Sequence, residues 1–232
     1  MNIAPALQFI LSIFLVSPAF AQVNANFCGS LENGFGPFDY RADKYVAAPS
    51  DQESHRHKRG LVEGAHFTPR VESLIGAQSG GQIGPPGSDL DYTLRAFPNH
   101  HRALLSVMRY GEKTGSQQPS GLRYVVECYL ERAIRFKPDD AIARILYSTF
   151  LTKNKRVPEA VAQLEQATTI AGENAFTHYN IGLTYFDMKI YDKALARAHR
   201  ALELGFERVE LRDLLQGAGQ WQEPSIAPKP QE

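Results

Sequence analysis

The 232-residue sequence predicts an all-α fold. Three observations carry that expectation. Apolar and small residues recur at the helical period of about 3.6 in paired blocks through the second half of the chain. The blocks repeat, since Pro138, Gly172 and Phe206 stand at equal intervals along the chain. Helix signals bracket the clearest pair, with Asn174 as a cap before one apolar pattern and Gly205 as a stop after the next. A single helix pair cannot bury its own apolar face, so such units must stack on their neighbours, and small residues let the helices approach closely.

The elements follow in order from the N-terminus. Residues 1–21 hold no charged side chain, carry an apolar run from Phe9 to Val16, and end Ala19-Phe20-Ala21 before Gln22. This is a secretory signal pattern, with cleavage expected after Ala21. The leading stretch lacks Lys and Arg, and Ile3 to Ala21 is nearly long enough to span a bilayer, so an uncleaved N-terminal anchor competes with it. Pro5, Gln8, Ser17 and Pro18 dilute that span. Residues 22–87 read as an irregular segment rich in Gly, Pro, Asn, Ser and His, with no sustained helical period. Within it, Phe27 to Arg41 sets Phe27, Phe35, Phe38 and Tyr40 among glycines, as suits an aromatic loop folded on a helical surface. Ser50 to Gly60 is expected as a solvated polar stretch, Thr68-Pro69 opens a short helix, and Ala77 to Ser88 reads as a turn-rich linker.

Residues 88–140 form degenerate repeat units. The interval from Pro98 to Pro138 exceeds the period by six, and the surplus belongs to Gly115 to Gly121, a polar Gly/Pro run that suits a lengthened turn. Residues 141–173 place Tyr147, Ser148, Leu151, Val157, Ala160, Leu164 and Ala167 on the repeating pattern. Residues 174–206 place Ile181, Gly182, Tyr185, Tyr191, Ala194 and Ala201 there, on helices expected from Ala175 to Met188 and from Tyr191 to Glu203. Residues 207–217 are expected as a capping helix with Val209, Leu211, Leu214 and Leu215 on one face, and 218–232 as a disordered Pro-rich tail.

The order large apolar, small, aromatic, aromatic, small, small in Ile181, Gly182, Tyr185, Tyr191, Ala194 and Ala201 resembles the tetratricopeptide-repeat family. The likeness is good over 141–206 and loose over 88–140. It implies a short right-handed superhelix of helix-turn-helix repeats, preceded by the irregular N-terminal segment, and a scaffold that binds another polypeptide. In that family the first helices of the repeats line a concave groove. Carried onto this chain, the groove positions are Ile142, Ile145, Thr149, Thr152 and Lys153, then Phe176, Tyr179, Leu183, Phe186 and Asp187, with His100, Ala103, Val107 and Tyr110 in the degenerate unit. Of these, Ile142, Ile145, Thr149, Phe176, Tyr179, Leu183 and Phe186 are the expected partner contacts. The Lys and Asn with which part of the family clamps a C-terminal carboxylate are missing, so an apolar peptide or an amphipathic helix is the better ligand. The aromatic N-terminal segment is a rival occupant of the same groove.

Charge and chemistry narrow the function. The 25 basic and 25 acidic residues balance, which argues against nucleic-acid binding and gives no pull toward anionic membranes. Cys28 and Cys128 are the two cysteines, and in an exported chain an even count favours a disulfide over two separately buried thiols. His55 and His57 form an H-x-H beside Arg56, Lys58 and Arg59, with His66 further on. They are weak metal candidates, because adjacent cations oppose a divalent ion. His100-His101 reads as a solvated helix start, His178 as partly buried structure and His199 as surface. No Ser-His-Asp order, H-E-x-x-H, P-loop or strand-linked G-x-G-x-x-G occurs, so no enzyme is expected. The reading is a non-enzymatic protein-protein adaptor of the periplasm or the secreted space, without cofactor, whose partner is another protein or peptide. It excludes nucleic acid and, after signal cleavage, membrane insertion. The alternative is a His-dependent metal or haem handling factor in envelope protein biogenesis.

Overall fold

The computed structural model describes residues 28–42, 49–79 and 82–224, with residues 49–54 described by backbone alone. The expected signal peptide, its cleavage point, Phe27 and the last eight residues of the tail lie outside the described residues. The architecture is all-α, and the described residues hold ten helices and one two-stranded hairpin.

Helix α1 (Pro49–His66) covers the stretch expected to be a solvated loop. Its sequence is almost wholly polar and shows no apolar stripe. What holds it is tertiary: Val62 is buried with Ala96 and Phe97 in a small cluster that Phe35, Phe38, Tyr40 and Tyr92 complete. Helix α2 (Pro69–Glu72) begins as its residues dictate, with Thr68 Oγ1 accepting from the Val71 N–H at 3.5 Å and Pro at the first position. The expected linker instead contains an antiparallel hairpin, β1 (Ala77–Ser79) paired with β2 (Gln82–Gly84) in the register Ala77 to Gly84.

Then come α3 (Gly87–Ala96), α4 (His101–Thr114), α5 (Val126–Phe136), α6 (Ala141–Lys153), α7 (Val157–Ala171), α8 (Ala175–Asp187), α9 (Tyr191–Glu203) and α10 (Glu210–Gly217). The surplus lies in the α4–α5 connection, which closes on itself through Val126 N–H to Gln117 O (2.8 Å) and Gln118 Nε2 to Leu122 O (3.1 Å). Helices α6 and α7, like α8 and α9, are joined by short turns and fold back on each other. Both turns place a lysine in the left-handed region at equivalent positions, Lys155 at φ 61° and Lys189 at φ 60°. The first helices of successive pairs contact in sequence, α4 with α6 and α6 with α8, and α10 lies against α8 and α9.

Two apolar cores result. One runs from Phe67 and Val71 through Leu104, Val107 and Tyr129 to Tyr147 and Leu151. The other joins Ile145, Leu164, Tyr179, Ile181, Tyr185, Ala194, Leu211 and Leu215. The same polar clip closes two helix junctions. Tyr147 Oη donates to Glu127 Oε1 at 2.7 Å, where Arg156 also binds at 2.6 Å; Tyr185 Oη donates to Glu165 Oε1 at 2.9 Å, where Lys193 also binds.

Cys28 and Cys128 form a disulfide that ties the strap Cys28–Ala42 to α5. The Arg132 guanidinium, 1% exposed, reinforces it by donating to Cys28 O (3.0 Å) and Ser30 O (2.6 Å). The strap then crosses the α3–α4 junction, where Phe38 N–H donates to Ala96 O (2.8 Å) and Tyr40 N–H to Asn99 Oδ1 (3.0 Å).

Candidate interaction face

Helix α8 is built to present a stripe. Asn174 Oδ1 accepts from the Thr177 N–H at 2.9 Å and fixes its start. Phe176, Tyr179, Leu183 and Phe186 then recur at three- and four-residue steps on one side. The structure splits these four by burial. Phe176 is 52% exposed, with its ring 5.9 Å from that of Phe206. Leu183 and Phe186 are half-buried, and Phe186 lies 5.4 Å from Tyr191. Tyr179 is 5% exposed, so its expected place among the partner contacts is corrected: it belongs to the core. Its ring sits 4.9 Å from Phe206 and its hydroxyl donates to Glu210 Oε2 at 3.0 Å. Burial, then the Glu210 carboxylate beside it, raise the Tyr179 phenol pKa.

The same correction applies to Ile145, 7% exposed within the second core. Ile142 and Thr149 are half-buried, the first packed on that core and the second with its hydroxyl donating to Ile145 O at 3.0 Å. What covers the lower stripe is the chain's own α10, which aims Leu211 at Gly182; a Cβ there would stand 2.5 Å from Leu211 Cδ2. The expected capping face is divided too, since Leu211 and Leu215 are buried while Val209 and Leu214 are 44% and 42% exposed. Phe186 and Leu214 border one shallow hollow together with Glu210, Asp213, Gly217 and Ala218. Sequence reasoning missed α10 as part of this face. The signal was present in the acidic first turn beside Leu214, but a cap read as a terminator is not read as a wall.

The rival occupant is also placed. The described part of the strap bonds to the α3–α4 junction, to α5 and to the start of α6. In the degenerate unit, however, Phe67 to Leu74 runs along α4: Ser106 Oγ donates to Glu72 O (3.2 Å), Lys113 Nζ to Leu74 O (3.0 Å), and Phe67 meets the His100 ring at 4.7 Å. His100, Ala103, Val107 and Tyr110 are therefore all buried. A further hollow of about 460 Å³ opens where the inserted loop meets α6, floored by Met108, Val126 and Phe150 and flanked by the pairs Glu112–Lys153 (2.6 Å) and Glu127–Arg156 (2.6 Å).

The histidines do not converge. His55 and His57 stand two apart on α1, where successive residues turn about 100°, and so point to opposite sides. His66 Nδ1 is engaged by Asp89 Oδ1 at 2.9 Å, its ring stacked 4.0 Å from Tyr92. Among the described residues no three His, Cys, Asp or Glu side chains are grouped to hold an ion. His100 is no solvated helix start, being wholly buried, and His101 bonds Asp140 at 2.9 Å. His178 is buried on Gly172 O (2.9 Å), and His199 on α9, expected at the surface, is half-buried and bonds Gln222 O (2.8 Å). No helix among the described residues is long and apolar enough to cross a membrane.

No protein-family model matches this chain, and no curated protein matches it.

Proposed function

We propose that this chain is a non-enzymatic protein-interaction adaptor whose helix pairs form a tetratricopeptide-like right-handed superhelix. It holds an apolar peptide or amphipathic helix against α8 and α10. The observation that carries this is Phe176, a large aromatic left 52% exposed on the stripe that also holds Leu183 and Phe186, the last of which borders a hollow with the exposed Leu214. Exposed apolar residues grouped in this way mark interaction sites more often than isolated ones do. A helix laid there would present apolar residues at three- and four-residue steps to Phe176, Phe186 and Leu214 and its polar side to Glu210 and Asp213. The Cys28–Cys128 disulfide supports an oxidising compartment, and with the signal pattern it favours the periplasm or the secreted space.

The test is site-specific photo-crosslinking in intact cells. A crosslinker at Phe176 or Phe186 should trap one and the same protein, while the same probe at Thr169, exposed on α7, should not. Equal capture from all three positions, or none from α8, sinks the adaptor reading.

A further inference from the structure

His100 holds a position that acid can unmake. The first helices of three successive units are capped at equivalent positions, by His100 on α4, Asp140 on α6 and Asn174 on α8. Their spacing keeps step with that of Pro98, Pro138 and Gly172. In each, the capping side chain accepts the N–H three residues on: His100 Nδ1 from Ala103 (3.2 Å), Asp140 Oδ1 from Ala143 (3.1 Å), Asn174 Oδ1 from Thr177 (2.9 Å). Asn accepts at any pH and Asp whenever ionised, whereas an imidazole nitrogen accepts only while unprotonated. The hydrogen bond to Nδ1 thus fixes the neutral tautomer, with Nε2–H donating to Glu63 Oε1 at 3.1 Å.

This imidazole is 0% exposed. The Tyr40 ring of the strap stacks on it at 4.1 Å, and Phe67 meets it from the start of α2 at 4.7 Å. The charged and titratable groups that face it are Glu63 and Arg59 from α1, Tyr40 from the strap, Glu72 from α2, and Arg102 and His101 from α4. Burial holds the His100 pKa below its ordinary value, against the opposing pull of Glu63. Lifting the strap must also break bonds at its end, from Asn99 to Asp39 (2.7 Å) and from Arg41 to Asp139 (3.1 Å), and mild acid does not weaken the first of these because Asp39 stays ionised. Burial opposes the Asp39 carboxylate, but hydrogen bonds from Arg41 and Asn99 hold its pKa well below the usual range.

We propose that Phe35 to Ala42 is an acid-released latch: protonation of His100 lifts it from the α3–α4 junction and bares the cluster around Phe97, while Cys28–Cys128 keeps the strap attached. A proton on Nδ1 removes the acceptor for the Ala103 N–H and places a charge in a dry site. Hydration of that charge requires the stacked Tyr40 ring to leave. Tyr40 N–H rests on Asn99, the neighbour of His100, and Phe38 N–H on Ala96 O, so the segment lifts together. The sign follows from the lowered native pKa. The lifted state, whose imidazole is solvated near 6.5, binds the proton more readily than the closed one. Closure is thus complete above about pH 6.5 and weakens as the pH falls below it.

Residue-resolved hydrogen exchange on the oxidised full chain, corrected for intrinsic rates, tests this between about pH 7.5 and about pH 5.5. Protection of the Phe38 and Tyr40 amides should fall about tenfold while that of α8 and α9 amides holds. His100→Asn supplies the cap that α8 already uses and should remove the fall. A fall that persists in His100→Asn overturns the proposal, as does no fall in the native chain or an equal loss across α8. If the variant does not fold, the native chain decides by NMR. The midpoint of the His100 ring titration must coincide with that of strap opening, and separated midpoints refute the latch.

Discussion

Gly182→Ala should destabilise the protein, although alanine is the better helix former. In an exposed helix interior the exchange stabilises by about 0.5–1 kcal/mol. Here the new methyl would stand 2.5 Å from Leu211 Cδ2, 3.2 Å from Arg197 Cβ and 3.4 Å from Ala194 O. Leu211 is 1% exposed and cannot swing into solvent, and Arg197 Cβ and Ala194 O move only with α9. Overpacking of this kind costs about 1–3 kcal/mol, so the net loss should be about 1 kcal/mol, or roughly 2–4 °C in melting temperature for a chain of this size. The decisive measurement is a double-mutant cycle by urea unfolding of the oxidised protein. Leu211→Ala alone should cost about 2–5 kcal/mol. In that background Gly182→Ala should cost about 1 kcal/mol less and come close to neutral, because the Leu211 clash is gone and the helix preference offsets the remaining close contact with Arg197 Cβ at 3.2 Å. Additive effects, or stabilisation by Gly182→Ala in the native background, would refute the account of how α10 docks on α8.

Three further outcomes are expected. Reducing Cys28–Cys128, which closes a loop with a sequence separation of 100, should cost about 4–5 kcal/mol on the chain-entropy model, read as a lower urea midpoint in reductant. Lys189→Gly should stabilise by about 1 kcal/mol in the same assay, because Lys189 sits at φ 60° in the α8–α9 turn, where a side chain is strained. Asp140→Ala should cost about 2–4 kcal/mol near neutral pH, since the 1%-exposed carboxylate caps α6 and accepts from Asn99 and His101. Burial opposes that carboxylate, but the bonds from His101, Asn99 and Ala143 hold its pKa below the ordinary one. Its contribution is therefore present above about pH 4 and lost on further acidification, and the gap to the Ala variant should close there.

The caps, turns and helix limits of this chain follow from signals local in the sequence. The cap at Asn174, the stop at Gly205, the helices α8 and α9, the helix opened by Thr68-Pro69, the surplus between α4 and α5 and the pairing of the two cysteines were all legible, because each depends on neighbours in the chain or on simple counting. Which side chains face outward depends instead on contacts between elements distant in the chain. Helix α1 carries no apolar stripe and is held through Val62 by aromatics of the strap, contacts that no periodicity can announce. Tyr179 and Phe176 sit three positions apart on one stripe, yet one is core and the other surface. The reason is that α10, which follows only after the whole of α9, covers the first with Glu210 and Leu211 and leaves the second bare. His100 shows the same division. Its place at a helix start was readable from the register, but its burial was not, because the rings of Tyr40 and Phe67 that exclude water from it arrive from elements far away in the chain.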